Sequence, residues 1–301
     1  MTKRKSRWMV VLGLMLGLIL FTCSAHAAET ESLSKNMQVA VKVQKAKVYQ
    51  EQSSEAKVVK TVKFGKHMAA KEVCGDWYKV SDGYVRKKDV VLYDKTKKHI
   101  ALTFDDGPSK TNTKIVLDAL EKHKAKATFM VVGQNVNKGT ADLLKREVEL
   151  GCEIGNHSYS HANFKKISQK KIKSELKKTD DAVKKYIGSK PTVIRTPYGA
   201  SSKSVLKCFD RPNIFWSVDT LDWKYRDTDR LVKYVSKNAK DGGIVLMHDI
   251  HKSTAKAVDR ILKSLEKQGF ETVTVTELSA INNVPMKAGK TYSSLVQKNK
   301  K

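Results

Sequence analysis

Proline is scarce in this 301-residue chain, at five residues, and cysteine numbers only four. So few prolines exclude a proline-rich or low-complexity linker protein. One cysteine, Cys23, lies near the N-terminus. The other three, Cys74, Cys152 and Cys208, are odd in number and without C-x-x-C spacing. That excludes a disulfide framework and a cysteine-type zinc site, and it implies isolated, mostly buried thiols. Acidic residues are few, 31 against 58 Lys plus Arg, giving a formal charge of +27. An acidic disordered chain is therefore excluded. The longest apolar run falls short of the roughly 20 residues that span a bilayer, which excludes a multi-span membrane protein. What is present, 40% hydrophobic residues over this length, suffices for one large core, or a large domain plus a small one. The basic surplus calls for an anionic partner: nucleic acid, an acidic membrane, or an anionic polymer.

The N-terminus narrows that choice. Lys3, Arg4, Lys5 and Arg7 precede an apolar run from Val10 to Phe21, followed by Ala25-His26-Ala27. This is the three-part pattern of a secretory signal over residues 1–27. The protein is thus expected outside the cell, in contact with a membrane only if this segment stays uncleaved, and a nucleic-acid partner is not expected. Removing 1–27 takes away four cations and no acid, so +27 becomes +23 and the surplus belongs to the mature chain.

Residues 28–36 are polar and read as a flexible linker. From 37 to 93, short β-type runs (Val39–Val43, Lys57–Val62, Met68–Val73, Trp77–Val80, Gly83–Val85) alternate with turn signals such as Cys74-Gly75-Asp76 and Ser81-Asp82-Gly83. Frequent turns without a helix pattern argue for a small all-β barrel. The stretch Gly75-Asp76-Trp77-Tyr78-Lys79-Val80, with Phe64-Gly65-Lys66 before it and Gly83-Tyr84-Val85 after it, resembles bacterial Src-homology-3-like domains. That resemblance implies a cell-wall peptide ligand; packing of Trp77 and Tyr78 in an ordinary core is the other reading.

From residue 98 to 280 the pattern changes. Ile100–Phe104, Ala127–Val132, Val193–Arg195, Ile214–Val218, Ile244–Met247 and Thr272–Val275 read as strands. Between them, Ile172, Leu176, Thr179, Val183 and Tyr186 or Ile187 mark one helix face. Val258, Ile261, Leu262 and Leu265 mark another, which Gly269 stops. Alternation of this kind predicts an α/β fold with parallel strands, whose functional groups gather at the strands' C-terminal ends. Residues 281–301 read as a solvated basic tail.

Polar clusters stand where the predicted strands end. Asp105-Asp106 follows the first, and two adjacent carboxylates need a cation. His157 and His161, four apart, can bite one metal. An Asp with two His leaves coordination positions open, as in zinc hydrolases and in non-haem iron oxygenases. Arg195, Tyr198, Asp219, Asp222, Trp223, Leu246, His248 and Asp249 belong to three further clusters.

In order, Thr103-Phe104-Asp105-Asp106-Gly107-Pro108, His157-Ser158-Tyr159-Ser160-His161, Arg195-Thr196-Pro197-Tyr198-Gly199, Asp219-Thr220-Leu221-Asp222-Trp223 and Leu246-Met247-His248-Asp249 closely resemble the five motifs of the NodB-like polysaccharide deacetylases, carbohydrate esterase family four. The resemblance implies a distorted (β/α) barrel, usually of seven strands. It implies Asp106, His157 and His161 as ligands of a divalent metal, most often Zn2+, with Co2+ or another divalent ion possible. It further implies Asp105 as general base, Arg195 as its partner, and the Tyr198 backbone N–H as oxyanion donor. His248 becomes the general acid, Asp222 its orienting carboxylate, and Trp223 and Leu246, with Tyr198, the walls of an acetyl pocket. The expected activity is N-deacetylation of peptidoglycan amino sugars by a secreted, wall-associated monomer held to anionic wall polymers. Chitin-oligosaccharide deacetylase, acetylxylan esterase, and a wall-binding protein with a vestigial enzyme domain are the alternatives.

Overall fold

A computed structural model of the chain describes residues 30–297. The expected signal segment, residues 1–27, lies outside the described residues.

The N-terminal part is all β. Its strands are β1 (Thr30–Ser32), β2 (Met37–Val41), β3 (Lys45–Tyr49), β4 (Val58–Lys63), β5 (His67–Ala69), β6 (Glu72–Cys74), β7 (Trp77–Val80), β8 (Gly83–Arg86) and β9 (Val90–Asp94). They form a six-stranded sheet ordered β1-β6-β7-β8-β3-β4 and a three-stranded sheet ordered β5-β2-β9. Three expectations change here. The linker contains a strand: β1 pairs antiparallel with β6. The run Met68–Val73 is two strands in two different sheets. Lys45–Tyr49 was not expected, yet it alternates exposed Lys with buried Ala46 and Val48, the period-2 signature of a half-buried strand.

The larger part begins with β10 (Lys98–Asp105), buried over seven of its eight residues. Then follow α1 (Asn112–Lys122), β11 (Thr128–Val131), α2 (Ala141–Glu149), β12 (Glu153–Asn156), α3 (Gln169–Ile187), β13 (Val193–Ile194), α4 (Lys203–Leu206), β14 (Asn213–Ile214) and β15 (Val218–Asp219). The chain continues through α5 (Asp222–Tyr225), α6 (Thr228–Asn238), β16 (Ile244–His248), α7 (Lys252–Lys267), β17 (Phe270–Thr272), α8 (Val275–Ile281) and β18 (Thr291–Tyr292). The sheet is parallel throughout, in the order β15-β16-β10-β11-β12-β13-β14-β18, with β17 pairing the start of β10. Near-continuous burial along β10, β11 and β16 is what a parallel strand covered on both faces requires.

The predicted strand Ile214–Val218 breaks into β14 and β15; at the break the carbonyls of Ile214 and Phe215 accept hydrogen bonds from the Arg195 guanidinium. The predicted strand Thr272–Val275 ends at Thr272. Thr274 then caps α8, its hydroxyl accepting from the Glu277 N–H while the Glu277 carboxylate accepts from the Thr274 N–H. Nor is the C-terminal segment solvated as far as residue 297. β18 extends the sheet, Leu295 is fully buried, and its N–H donates to the Gly242 carbonyl at 2.8 Å.

The two parts share apolar packing. Ala40, Val91 and Tyr93 sit in one cluster with Ala101, Ile244, Val273, Leu278, Ile281 and Leu295. The β segment therefore covers the end of the parallel sheet opposite the ends of β10, β12 and β16 that carry the polar clusters. Shared burial predicts joint unfolding. Tyr93→Ala, which empties a 5%-exposed site, is expected to cost about 3 kcal/mol. Urea unfolding followed by far-UV and tryptophan signals should still show one coincident transition, at a lower midpoint; a separate early transition of the β segment would contradict the shared core.

Candidate metal centre and catalytic pocket

The C-terminal ends of β10, β12, β13, β15 and β16 open into one cavity of about 550 Å³. Asp105, Asp106, His157, His161, Tyr198, Trp223, Leu246 and His248 line it. Arg195 and Asp222 stand behind the lining, each bonded to a residue that faces it. All ten residues singled out from the sequence thus converge, from segments up to 143 positions apart.

Asp106, His157 and His161 bring three ligand atoms within 4.8 Å of one another. Asp106 Oδ1 lies 3.5 Å from His157 Nε2 and 3.2 Å from His161 Nε2. It is buried without a hydrogen-bond partner, an orphaned anion that a cation would satisfy. The His157 Nδ1 donates to the Arg195 carbonyl at 2.8 Å. A carbonyl only accepts, so the proton sits on Nδ1 and the Nε2 lone pair faces the cluster. Burial and the neighbouring His157 push the His161 pKa down, against the raising effect of Asp106 and Asp105, which favours the neutral imidazole that a metal ligand needs. One carboxylate and two imidazoles converging this way fit a divalent transition metal.

Beside this cluster, Asp105 is held by Arg195, Nη1 to Oδ1 at 2.6 Å, while its Oδ2 lies 3.6 Å from His157 Nε2. On the opposite wall His248 Nδ1 donates to Asp222 Oδ1 at 2.8 Å. Asp222 also accepts from the His248 N–H, Thr254 and the Trp223 N–H. Burial alone would discharge His248. The hydrogen bond and charge of Asp222, helped by Asp105 and Asp106, overcome it and push the His248 pKa up to about 9. The imidazole is therefore charged at neutral pH, with Nε2–H free to donate.

Backbone strain concentrates here. Eight non-glycine residues among the described ones have positive φ, and six of them (Asp106, Ser158, His161, Tyr198, Leu221 and Arg226) belong to the site's loops. Left-handed backbone costs of order 1 kcal/mol per residue and persists where surroundings enforce it. Gly107 is fixed by a different need: a Cβ there would lie 2.4 Å from Asp249 Oδ2.

Several supporting residues escaped the sequence reading. Glu175, on the buried face of α3, accepts from the N–H groups of Tyr159 and Ser160 and from the Ser160 hydroxyl, which shapes the His157–His161 loop. Its signal was present as a carboxylate between Ile172 and Leu176 on an apolar face. Asn156 bridges that loop to α3, taking the Ser158 N–H and donating to Asp180. The Tyr198 side chain, expected only as a pocket wall, puts its hydroxyl 3.0 Å from His161 Nδ1. Trp216, Arg226, Ile250 and His251 also line the cavity and lie outside the five motifs, whereas Thr196, Gly199 and Asp219, the rest of the lining, belong to them.

A family model described as polysaccharide deacetylase matches residues 93–211. The peptidoglycan-N-acetylglucosamine deacetylase of Listeria monocytogenes serotype 1/2a is 49% identical over 184 residues, 61% of this chain and 39% of that protein. The peptidoglycan-N-acetylmuramic acid deacetylase of Bacillus subtilis strain 168 is 39% identical over 188 residues, 62% of this chain and 40% of that one. The chain thus spans about two-fifths of the length of these two curated relatives. Among solved structures, a family 4 acetyl xylan esterase from Clostridium thermocellum in complex with a cobalt ion superposes with a TM-score of 0.63 at 36% identity, covering 66% of this chain and 99% of that one.

The support of the histidine loop by Glu175 is testable through metal affinity. Glu175→Ala removes the Oε2 that accepts all three of these donors. Competition titration with Zn2+ or Co2+ should show affinity weakened by about 10–100-fold, the usual effect of losing an outer-shell partner. Unchanged affinity would show that the loop holds its shape without Glu175.

Proposed function

Because the chain belongs to the polysaccharide deacetylase family, we propose that it is a secreted, metal-dependent N-deacetylase of peptidoglycan amino sugars, releasing acetate and leaving a free amine. The observation that carries this reading is the opposition, across one cavity, of a carboxylate anchored by a buried arginine and an imidazole held charged by a buried aspartate. Amide hydrolysis needs both: a base for the attacking water and an acid for the leaving nitrogen. An iron oxygenase needs neither, so that alternative has no support in the site.

Asp106, His157 and His161 would hold the metal, and Zn2+ suits their donor set, with Co2+ a close substitute. Bound there, a divalent ion supplies Lewis-acid polarisation of the acyl carbonyl and of a water. Asp105 takes the proton as that water's oxygen adds to the acyl carbon. Its Oδ1 is committed to Arg195, which leaves Oδ2 as the basic atom. The Tyr198 backbone N–H, in the turn where Tyr198 and Gly199 take positive φ, would donate to the tetrahedral oxyanion. As the C–N bond breaks, His248 Nε2 delivers its proton to the nitrogen, so the amine departs neutral. Leu246, buried, and Trp223, half exposed, bound the space for the acetyl methyl. The complete site counts against a vestigial enzyme domain. The strand-rich N-terminal segment and the basic charge fit retention at an anionic cell wall, with a Src-homology-3-like module as the reading of residues 37–93.

Two measurements test the assignment. Incubation with Zn2+ and purified peptidoglycan should release acetate, and Asp105→Asn should slow release by about 10²–10⁴-fold while leaving metal binding intact. Release that ignores both metal and this substitution would overturn the mechanism. For His248 the protonated form is active, so kcat/KM should fall as pH rises through about 9. Asp222→Asn removes the charge that raises this pKa, and the alkaline limb should move down toward the ordinary imidazole value near ~6.5. A limb that stays in place would assign it to another group.

A further inference from the structure

A second cavity of about 420 Å³ adjoins the catalytic one, and the two share Arg226 and His251 as a common wall. Its remaining lining is Thr228, Lys252, Ser253 and Lys256. No carboxylate lines it, whereas the catalytic cavity holds Asp105, Asp106 and Asp219. Among the described residues, no ion pair with an acid engages Arg226, Lys252 or Lys256. Lys252 and Lys256 are four apart in the first turns of α7, a like-charge spacing that destabilises a helix unless an anion offsets it.

The shared wall is a built feature. Arg226 adopts a left-handed backbone, its Nε donates to the Trp223 carbonyl at 2.7 Å, and its Nη1 donates to His251 Nδ1. A guanidinium only donates, so His251 Nδ1 accepts and its proton sits on Nε2. The His251 ring is 5.6 Å from the His248 ring, centroid to centroid. A cationic cavity therefore opens beside the group that would protonate the leaving amine.

We propose that this cavity is an anion subsite that takes a carboxylate carried by the glycan undergoing deacetylation. The inference rests on the peptidoglycan reading and narrows its substrate class. Neutral chitin or xylan chains have nothing to place there. Peptidoglycan carries carboxylates next to its N-acetyl groups, on the muramyl lactyl ether when the stem peptide is absent and on the peptide when it is present. Arg226, Lys252 and Lys256 would supply the positive field, with the His251 Nε2–H as a neutral donor between the two cavities.

The test compares three substrates at fixed Zn2+ on the full chain: neutral chitopentaose, a muramic-acid-containing oligosaccharide with its stem peptides, and the same oligosaccharide stripped of peptide by an amidase. The variants are Lys252→Gln/Lys256→Gln and the charge-reversed Lys252→Glu/Lys256→Glu, with thermal melting as the check on folding. The neutralised pair is expected to raise KM on a carboxylate-bearing substrate about three- to tenfold, with kcat and all chitopentaose parameters held, and the reversed pair to raise it further. KM on that substrate should also climb with ionic strength, and KM on chitopentaose should not. Whichever acidic substrate responds identifies the carboxylate, lactyl or peptide. Equal losses on all three substrates, or no change on any, would overturn the subsite while leaving the deacetylase reading intact. Absence of acetate release from every substrate with the unaltered chain would instead overturn that reading.

Discussion

The guanidinium of Arg195 is the point on which the site's geometry depends. It is fully buried, where an unpaired charge would cost several kcal/mol. It is satisfied by Asp105 and the Thr103 hydroxyl at Nη1, the Ile214 carbonyl at Nε and the Phe215 carbonyl at Nη2. Its own carbonyl accepts the proton of His157 Nδ1. One residue thereby ties the ends of β10, β12, β13 and β14 together, sets the free oxygen of the carboxylate proposed as base, and fixes the tautomer of a proposed metal ligand. Between β14 and β15 it takes the carbonyls of Ile214 and Phe215.

The electrostatics divide the pocket by sign. Asp105 and Asp106 make the metal side negative, and the orphaned Asp106 oxygen shows that protein groups alone leave this side unsatisfied. His248 is the counterweight, kept charged because Asp222 is saturated with donors and cannot give its charge up. Beyond it lies a rim of Arg226, Lys252 and Lys256. A cation bound among the carboxylates and an anion bound at the rim would each neutralise its own half. The overall charge of +27 is a separate matter of attraction to an anionic surrounding, too diffuse to orient a sugar.

Much of the fold was legible because burial imposes periodicity. The face through Ile172, Leu176, Thr179 and Val183, and the one through Val258, Ile261, Leu262 and Leu265, are buried as their spacing required. The strand Glu153–Asn156 was missed because four consecutive buried residues of mixed chemistry, Glu-Ile-Gly-Asn, carry no alternation. The capping box of Thr274 and Glu277 was overlooked inside a β-branched run, where local propensity pointed to a strand and tertiary context chose a helix start. The polar 28–36 segment and the Lys-rich C-terminus looked solvated because backbone pairing, which needs no side-chain signature, is what docks Thr30–Ser32 and Thr291–Tyr292.

The amino-acid sequence by itself determined which side chains are candidates to carry the proposed chemistry. Catalysis demands particular atoms, and Asp105-Asp106, His157, His161, Arg195, Asp222 and His248 announce themselves by residue type at strand ends. Tertiary structure alone decided how those atoms are poised. The pairing of Arg195 with Asp105 spans 90 residues, that of Asp222 with His248 spans 26, and the support of the histidine loop comes from Glu175 on a helix face. The joining of Ala40, Val91 and Tyr93 to the core of the parallel sheet, and the gathering of Arg226, His251, Lys252 and Lys256 around a second cavity, were likewise invisible in the chain. The physical reason is common to all of them. A hydrogen bond, an ion pair or a cavity is a relation between atoms brought within a few ångströms, and separation along the chain carries no record of that distance until the sheet and its helices are packed.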